Sequence, residues 1–381
     1  MKVLFLVNQE LKKSDGISNK IYGQLAAFKK HANQCYFSYF QNINGTTFRK
    51  VDDKSIFIFS KFKALSFLQK KTSFGSVFRF VIQQKINLVY IRYNYFASPF
   101  FIFFLWKLKQ NNVKVVLEIP TYPYDAELPK ISSLIDIKGV LTHFTSYVEK
   151  LSRRFFVNVI DNIASFTNEQ QIFGVDVISI SNAVDPKLPL STGCENSNVI
   201  RFVGVASLAY WHGYDRAIAS LAKYDHKGIK KKVEIHIVGA SPIREELEDL
   251  TTKLGLEDNV IFHGQLNGHQ LDKVMNKCDI GIDSLGRHRS GIESNNSLKS
   301  KEYLMRGMPF IKSHIDESVD SYSCSIKVSA DDEIFDFNRI LQTYEHSNFK
   351  RTELRALALS EFTWDKQISL ILAKFVPFTH I

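Results

Sequence analysis

Only four cysteines occur in 381 residues, and Cys35, Cys194, Cys278 and Cys324 lie too far apart to form any CxxC pair. That excludes a zinc site or a disulfide framework and suits a reducing compartment. Long hydrophobic runs are missing as well: the greasiest stretch, residues 96–106, falls well short of the roughly 20 apolar residues of a membrane span. It reads as a helix that is buried or touches a membrane surface. MKVLFLVNQE turns polar after too short an apolar core for a secretory signal, so the expectation is a cytoplasmic chain. No GxGxxG follows the first apolar run, which argues against an NAD dehydrogenase. His31, His226 and His314 show no metal spacing, and no metal is expected.

What is present is a globular composition, 45% hydrophobic and 23% charged, long enough for two α/β domains. The formal net charge of +10 suits an anionic partner, whether nucleic acid, a membrane surface or a phosphorylated substrate. Nucleic acid is not expected, because no concentrated Lys/Arg stripe or known binding module occurs.

Short apolar runs alternate with helical spacing along the chain. In the first half, residues 3–7, SIFIFS from Ser55, NLVYIRY from Asn87 and VKVVLEI from Val113 read as parallel strands. Between the first two, Ile17, Ile21, Leu25 and Phe28 space one helix face after a loop of Ser14, Asp15 and Gly16. Residues 178–182 read as the last strand of this half, and residues 186–198, rich in Pro, Ser, Gly and Asn, as a linker. The second half repeats the pattern: strands at 199–204, 233–237, NVIFHG, DIGID and MPFIK, with helices between them. Strands alternating with helices imply a doubly wound parallel sheet in each half, with ligands at the carboxyl ends of the strands.

The most informative stretch is NNSLKSKEYLMRGMP, residues 295–309. Ser297 reads as the N-cap of a helix, with Asn295 and Asn296 before it and Leu298 opening the first turn. Free amides at a helix start bind phosphate. Lys299 in the first turn opposes the helix dipole, and a bound diphosphate reverses that penalty. Glu302, a turn further on, can accept from ribose hydroxyls. Taken alone, the stretch reads equally as a surface helix with a Lys299–Glu302 ion pair.

SLKSKEYLMRGMPFI resembles the donor-binding helix of family 4 glycosyltransferases, retaining enzymes with the two-domain GT-B fold. Other segments resemble the same family in the same order. They are DGISNKIYGQLAAF (15–28), ISNAVD (180–185), GVASLAYWHGYDRAI (204–218) and EIPTYPYDAE (118–127), the last similar to a capsule and exopolysaccharide subgroup. The resemblance implies two Rossmann-like domains facing an interdomain cleft. Residues 1–182 would bind the acceptor, 195–362 the nucleotide sugar, and a C-terminal helix, 363–381, would pack back on the first domain. It also implies a nucleotide-diphosphate donor, UDP-linked, with no cofactor, and a glycan or polyprenyl-linked acceptor in surface polysaccharide synthesis; the net charge of +10 adds the expectation of contact with the inner face of the membrane. Alternatives are a GT-B nucleotide-sugar epimerase and a non-catalytic sugar-binding protein.

By the same resemblance Gly16 approaches the phosphates, although by itself it marks only a tight turn, and Glu302 holds the ribose. The family's pattern has a second glutamate eight positions before Glu302; here that position is Ser294, with Glu293 one residue out of register. The usual Arg and Lys of the second-domain loop are replaced by Val205 or Ala206 and by His212. Positive charge is therefore expected from Lys299 and Arg289 as the groups stabilising the leaving diphosphate, while Arg287 reads as a solvated loop residue. Trp211 is either a core residue or a face of the donor site. Thr121, Tyr122, Tyr124 and Asp125, on a loop stiffened by Pro120 and Pro123, read as an acceptor surface, and Glu118 either joins them or is a buried structural acid.

Overall fold

The computed structural model describes residues 1–11, 16–125, 137–196, 198–224 and 230–375. Ser14, Asp15, Glu127 and His226 lie outside them. The chain divides into two compact units, Met1–Ser181 with Trp364–Ile381, and Asn182–Thr363.

The first unit carries nine strands: β1 (Lys2–Glu10), β2 (Gln34–Ile43), β3 (Thr46–Val51), β4 (Lys54–Ile58), β5 (Leu88–Arg92), β6 (Lys114–Ile119), β7 (Asn162–Ser165), β8 (Gln171–Ile172) and β9 (Val175–Ser179). Their order is β4-β3-β2-β1-β5-β6-β7-β9-β8. The strands from β2 through β9 in this order are parallel, and Val3 to Val7 of β1 are all fully buried. An unbroken apolar run is what a parallel strand covered on both faces requires. SIFIFS departs from expectation, because β4 pairs antiparallel with β3 at the sheet edge. Ile17 also departs: it is exposed, while Ile21, Leu25 and Phe28 of the helix Gly16–His31 pack inward. The helix Trp364–Ala373 belongs to this unit and lies beside Gly16–His31, where Lys30 pairs with Asp365.

Residues 96–106 fall largely in a helix, Pro99–Gln110, begun by Pro99 and capped by Ser98, whose Oγ accepts from the Phe101 amide at 3.3 Å. Phe101, Phe104, Leu105 and Leu108 face the core, and Phe100, Phe103 and Trp106 face outward.

The second unit carries β10 (Val199–Val205), β11 (Lys232–Val238), β12 (Val260–Gly264), β13 (Ile280–Ile282), β14 (Phe310–Lys312) and β15 (Ser325–Lys327). They form an all-parallel sheet in the order β12-β11-β10-β13-β14-β15. This is the 3-2-1-4-5-6 order of dinucleotide-binding sheets, with its switch point between β10 and β13. The stretch expected as a linker is anchored on this unit: the Ser191 hydroxyl lies 3.1–3.2 Å from the carbonyls of Met275, Asn276 and Cys278.

Candidate donor site at the switch point of the second sheet

Three segments meet at the carboxyl edge of β10 and β13. The first is the loop after β10, ending in the turn Tyr210–His212. Gly213 follows with φ +69°, and a Cβ there would sit 2.8 Å from the backbone of Leu285 and Gly286. Only glycine allows both that conformation and that approach. The second segment, Asp283 to Arg287, follows β13 and is tied to the first by a 2.9 Å bond from the Leu285 amide to the His212 carbonyl. The third is the helix Leu298–Met305. Its Tyr303 ring packs over Gly281, where a Cβ would lie 2.4 Å from the ring, and the Tyr303 hydroxyl bonds the Ile282 carbonyl at 2.9 Å. Helix and strand are thereby locked together.

At the helix start, Ser297 has the extended backbone of an N-cap, but its side chain does not cap. Its hydroxyl donates instead to Asp283 Oδ1 at 2.9 Å, which corrects the capping role expected of it. A second carboxylate, Asp316, takes the Ser297 amide at 3.1 Å and the buried Lys301 ammonium at 2.6 Å. The amides of Leu298, Lys299 and Ser300, in the first turn, have no intrahelical acceptor. Asn295 is held by its amide to the Ile315 carbonyl at 2.8 Å. Asn296 is held by Asn182, whose amide donates to Asn296 Oδ1 at 3.0 Å. These bonds fix the approach to the helix.

Lys299 is neither exposed nor paired with Glu302. Its side chain is 19% exposed, and its ammonium lies 3.2 Å from Asp283 Oδ1 and 3.1 Å from Ser284 Oγ. Burial pushes its pKa down, and the Asp283 charge works the other way. Burial pushes the Asp283 carboxyl up, but Lys299 and the other partners outweigh it and hold it at about 2. Asp283 Oδ2, though buried, has no hydrogen-bond partner among the described residues. Glu302 Oε1 pairs with Arg306 at 3.3 Å, and the carboxylate stays partly exposed.

The two arginines are not placed as the sequence leads one to expect. Arg289 Nη1 and Nη2 clasp Asp215 at 2.9 and 2.8 Å, Nε meets Asp332 at 2.6 Å, and Nη1 also reaches the Tyr210 carbonyl at 2.7 Å. With two acids on one guanidinium, its local charge is spent, so Arg289 is a staple between loops rather than a phosphate ligand. The expectation of a solvated Arg287 is likewise corrected. Its side chain is partly buried with no acceptor for Nε among the described residues, and burial lowers its pKa.

His212 Nδ1 accepts from the Ala209 amide at 3.1 Å, which places the proton of the neutral ring on Nε2. Burial, reinforced by Lys299 and Arg287, pushes its pKa down to about 3. At neutral pH this position therefore offers an N–H donor and no charge. Trp211 is half-buried beside it, with ring centres 6.0 Å apart.

The acceptor residues expected in the first unit separate. Glu118 is fully buried: Arg92 pairs with one oxygen, and Gln24 and Tyr90 donate to the other at 3.0 Å. Tyr124 is fully buried too, donating to Glu149 at 2.6 Å. Tyr124 is thereby corrected to a structural residue, and of the two readings of Glu118 its burial favours the structural acid, because an acceptor cannot reach groups closed off by their own partners. Thr121 and Asp125 are exposed and Tyr122 half-buried, and Asp125 pairs with Arg153 at 3.0 Å. Gly16 opens the helix Gly16–His31. Among the described residues no group of three His, Cys, Asp or Glu could hold a metal ion.

Doubly wound units of this kind define the GT-B fold, and solved structures agree over nearly the whole chain. Anabaena Alr3699/HepE in complex with UDP is 16% identical, with TM-score 0.58, covering 98% of this chain and 100% of that one. The lipopolysaccharide outer core galactosyltransferase WaaB is 13% identical, with TM-score 0.63, covering 98% and 100%. Sucrose-phosphate synthase from Thermosynechococcus elongatus is 13% identical, with TM-score 0.61, covering 98% and 97%. Such identities establish the fold. Activity comes from the sequence itself: residues 194–285 match the family described as Glycosyl transferases group 1. The protein is a glycosyltransferase with a group 1 domain, and the matched segment spans both loops of the switch point, from Trp211 and His212 to Asp283. No curated sequence matches the chain significantly.

Proposed function

We propose that this enzyme transfers a sugar, with retention of configuration, from a UDP-linked donor to a glycan or polyprenyl-linked acceptor in surface polysaccharide synthesis, with its donor site on the second unit. One observation carries the reading. Lys299, Arg287 and the neutral His212 gather at the switch point around the free amides of the Leu298–Met305 helix, with Glu302 a turn beyond. A diphosphate placed there meets N–H donors and two cations, and Glu302 Oε2 meets the ribose hydroxyls. Related folds crystallised with UDP and with UDP-glucose support the choice of nucleotide.

In the proposed step the bond between the sugar's anomeric carbon and the phosphate oxygen breaks while the bond to the acceptor oxygen forms on the same face. The acceptor's proton passes to the departing phosphate oxygen. No side-chain nucleophile is needed; the protein stabilises charge growing on the diphosphate. Gly16, Thr121, Tyr122 and Asp125 remain the first-unit residues proposed to face substrate.

Placement at the cytoplasmic face of the membrane is supported by two helices of the first unit, Lys63–Thr72 and Pro99–Gln110. The first, with Phe62 at its start, exposes Phe62, Leu65 and Leu68 beside Lys70 and Lys71; the second exposes Phe100, Phe103 and Trp106. Apolar side chains rimmed by lysines suit an anionic lipid surface. No helix among the described residues is long and apolar enough to cross a membrane.

The test is release of UDP from UDP-sugars, followed with and without acceptor fractions, together with UDP binding by the Glu302→Gln variant. Acceptor-dependent release is expected. The variant should bind UDP about ten- to a hundredfold more weakly, having lost a charge-assisted bond of roughly 1.5–3 kcal/mol. Release independent of acceptor, or unchanged UDP affinity in the variant, would overturn the reading.

A further inference from the structure

A cavity of about 350 Å³ opens in the first unit at the carboxyl ends of β1 and β5, well away in sequence from the loop first read as the acceptor surface. Its size is at the small end of ligand pockets, roughly 300–1,000 Å³. Aromatic rings of Phe40, Phe67 and Tyr95 line it, together with Asn8, Glu10, Lys70 and Lys71. Tyr95 holds a left-handed backbone, φ +60°, which is strained for a bulky side chain, and its ring stacks on Tyr124 at 4.3 Å. Strain of this kind survives only where the surroundings fix it, and it gathers at binding sites.

The charges in and behind the cavity do not balance. Lys70 lies 3.9 Å from Glu10, but Lys71 has no ion pair among the described residues, and its ammonium rests 4.7 Å from the Phe67 ring centre. Behind the wall sits Arg49, fully buried, with its guanidinium 4.5 Å from the Phe40 ring centre. Its Nη2 donates to Asn8 Oδ1 at 2.8 Å, while Nε, Nη1 and the Asn8 Nδ2 find no acceptor among the described residues. Burial lowers the pKa of both Arg49 and Lys71. Two cations, Lys70 and Lys71, thus line the cavity with one acid, Glu10, beside aromatic rings, and a third cation, Arg49, is buried behind its wall. A buried arginine with no ion pair among the described residues is costly, and an anion in the cavity, on the other side of the wall, lowers that cost through its field.

We propose that this cavity binds the acceptor as an anionic sugar, a pyranose carrying a phosphate or a carboxylate. Its ring lies on the aromatic wall and its charge faces Lys71 and Lys70. The inference rests on the proposed transfer and names the acceptor class for it. Phosphate and carboxylate share the chemistry the cavity recognises, and the experiment separates them.

Calorimetric titration of the full chain, saturated with UDP, is made with methyl glucuronide, glucose 6-phosphate, methyl glucoside and inorganic phosphate. One of the two charged sugars should bind at least about tenfold more tightly than methyl glucoside, the worth of one charge-assisted bond, and which one binds identifies the anion. Lys71→Ala should cost the charged sugar about tenfold, and Lys71→Arg should retain most of the affinity. UDP binding should be unchanged in both variants, which also shows that they are folded. Equal affinity for charged and neutral sugars, phosphate alone binding as tightly as its sugar ester, or no effect of Lys71→Ala would overturn the inference. Failure of UDP itself to bind the wild-type chain would instead overturn the donor reading, and the sugar titrations repeated without UDP would still decide the cavity.

Discussion

Two buried carboxylates stand at the carboxyl ends of parallel strands, Glu118 in β6 of the first unit and Asp283 just past β13 of the second, and both are fully buried. Each faces a cation, Arg92 in one case and Lys299 in the other. They differ in what remains unmet. Both oxygens of Glu118 are hydrogen-bonded, by Arg92, Gln24 and Tyr90, whereas Asp283 Oδ2 has no hydrogen-bond partner among the described residues, with His314 Nε2 3.7 Å away, and its cation stays partly open to solvent. A saturated buried acid holds structure; an unsaturated one beside a reachable cation holds a functional group in place. Removing Glu118 should therefore have the largest effect on stability. Glu118→Ala leaves Arg92 buried and unpaired, an expected loss of about 3–5 kcal/mol in urea unfolding, with UDP affinity of the folded protein unchanged. A variant that kept its stability but lost ligand binding would erase the distinction.

At the other acid the effect should fall on chemistry. Lys299→Ala should lower turnover about 10²–10³-fold, as when one donor to a developing oxyanion is removed. It should also destabilise by roughly 1.5–3 kcal/mol, because Asp283 then sits buried without its cation. The double variant Lys299→Ala/Asp283→Asn should regain that stability and none of the turnover. Single-turnover kinetics and urea unfolding on the same samples check both halves. Full turnover in Lys299→Ala would remove the lysine from the reaction.

The same contrast separates two arginines only two residues apart. Arg287→Ala should weaken UDP binding by about 1.5–3 kcal/mol, the worth of a bond to a charged group. Arg289→Ala should leave UDP affinity near wild type and cost at most about 1 kcal/mol of stability, since its acid partners are largely at the surface. Titrations that reversed the two results would restore Arg289 as the phosphate ligand.

That contrast shows where the sequence stops being legible. The parallel strands of the second sheet and the loop and helix at 295–309 follow from apolar periodicity and from the residue types at a helix start, which are local. The partners of an arginine are not local: Asp215 and Asp332 reach Arg289 from 74 and 43 residues away. Local pattern also failed at β4, because a short apolar run reads alike whether its neighbour is parallel or antiparallel. Glu118 is open to two readings in the sequence because its closure depends on Gln24, Tyr90 and Arg92 from other elements. Asp283 does carry a sequence signal: an acid directly after a buried strand, at the end of DIGID, stands where such sheets bind ligand.

The smallest expected effect concerns His212. In the folded chain its pKa is pushed down to about 3, whereas an unperturbed imidazole titrates near about 6.5. Between those values the unfolded chain binds one proton more than the folded one, so stability rises with pH across the window and is lost as acid is added. The slope for one such group is at most about 1.4 kcal/mol per pH unit. His236, pushed down to about 4 by burial and by His263, acts in the same direction over part of the same range. Urea unfolding from pH 4 to 7 should therefore show a positive slope that falls by about one proton in His212→Gln. Ligand binding gives the complementary reading. If His212 serves as a neutral Nε2–H donor, affinity for UDP-glucose, whose diphosphate stays fully ionised, should be flat between pH 7 and about 5.5, well above the folded pKa. Affinity climbing steeply toward pH 5.5 in the wild type, and flat in His212→Gln, would mean that the imidazole becomes charged against the diphosphate. The second unit would then hold three cations around its ligand rather than two cations and a neutral donor.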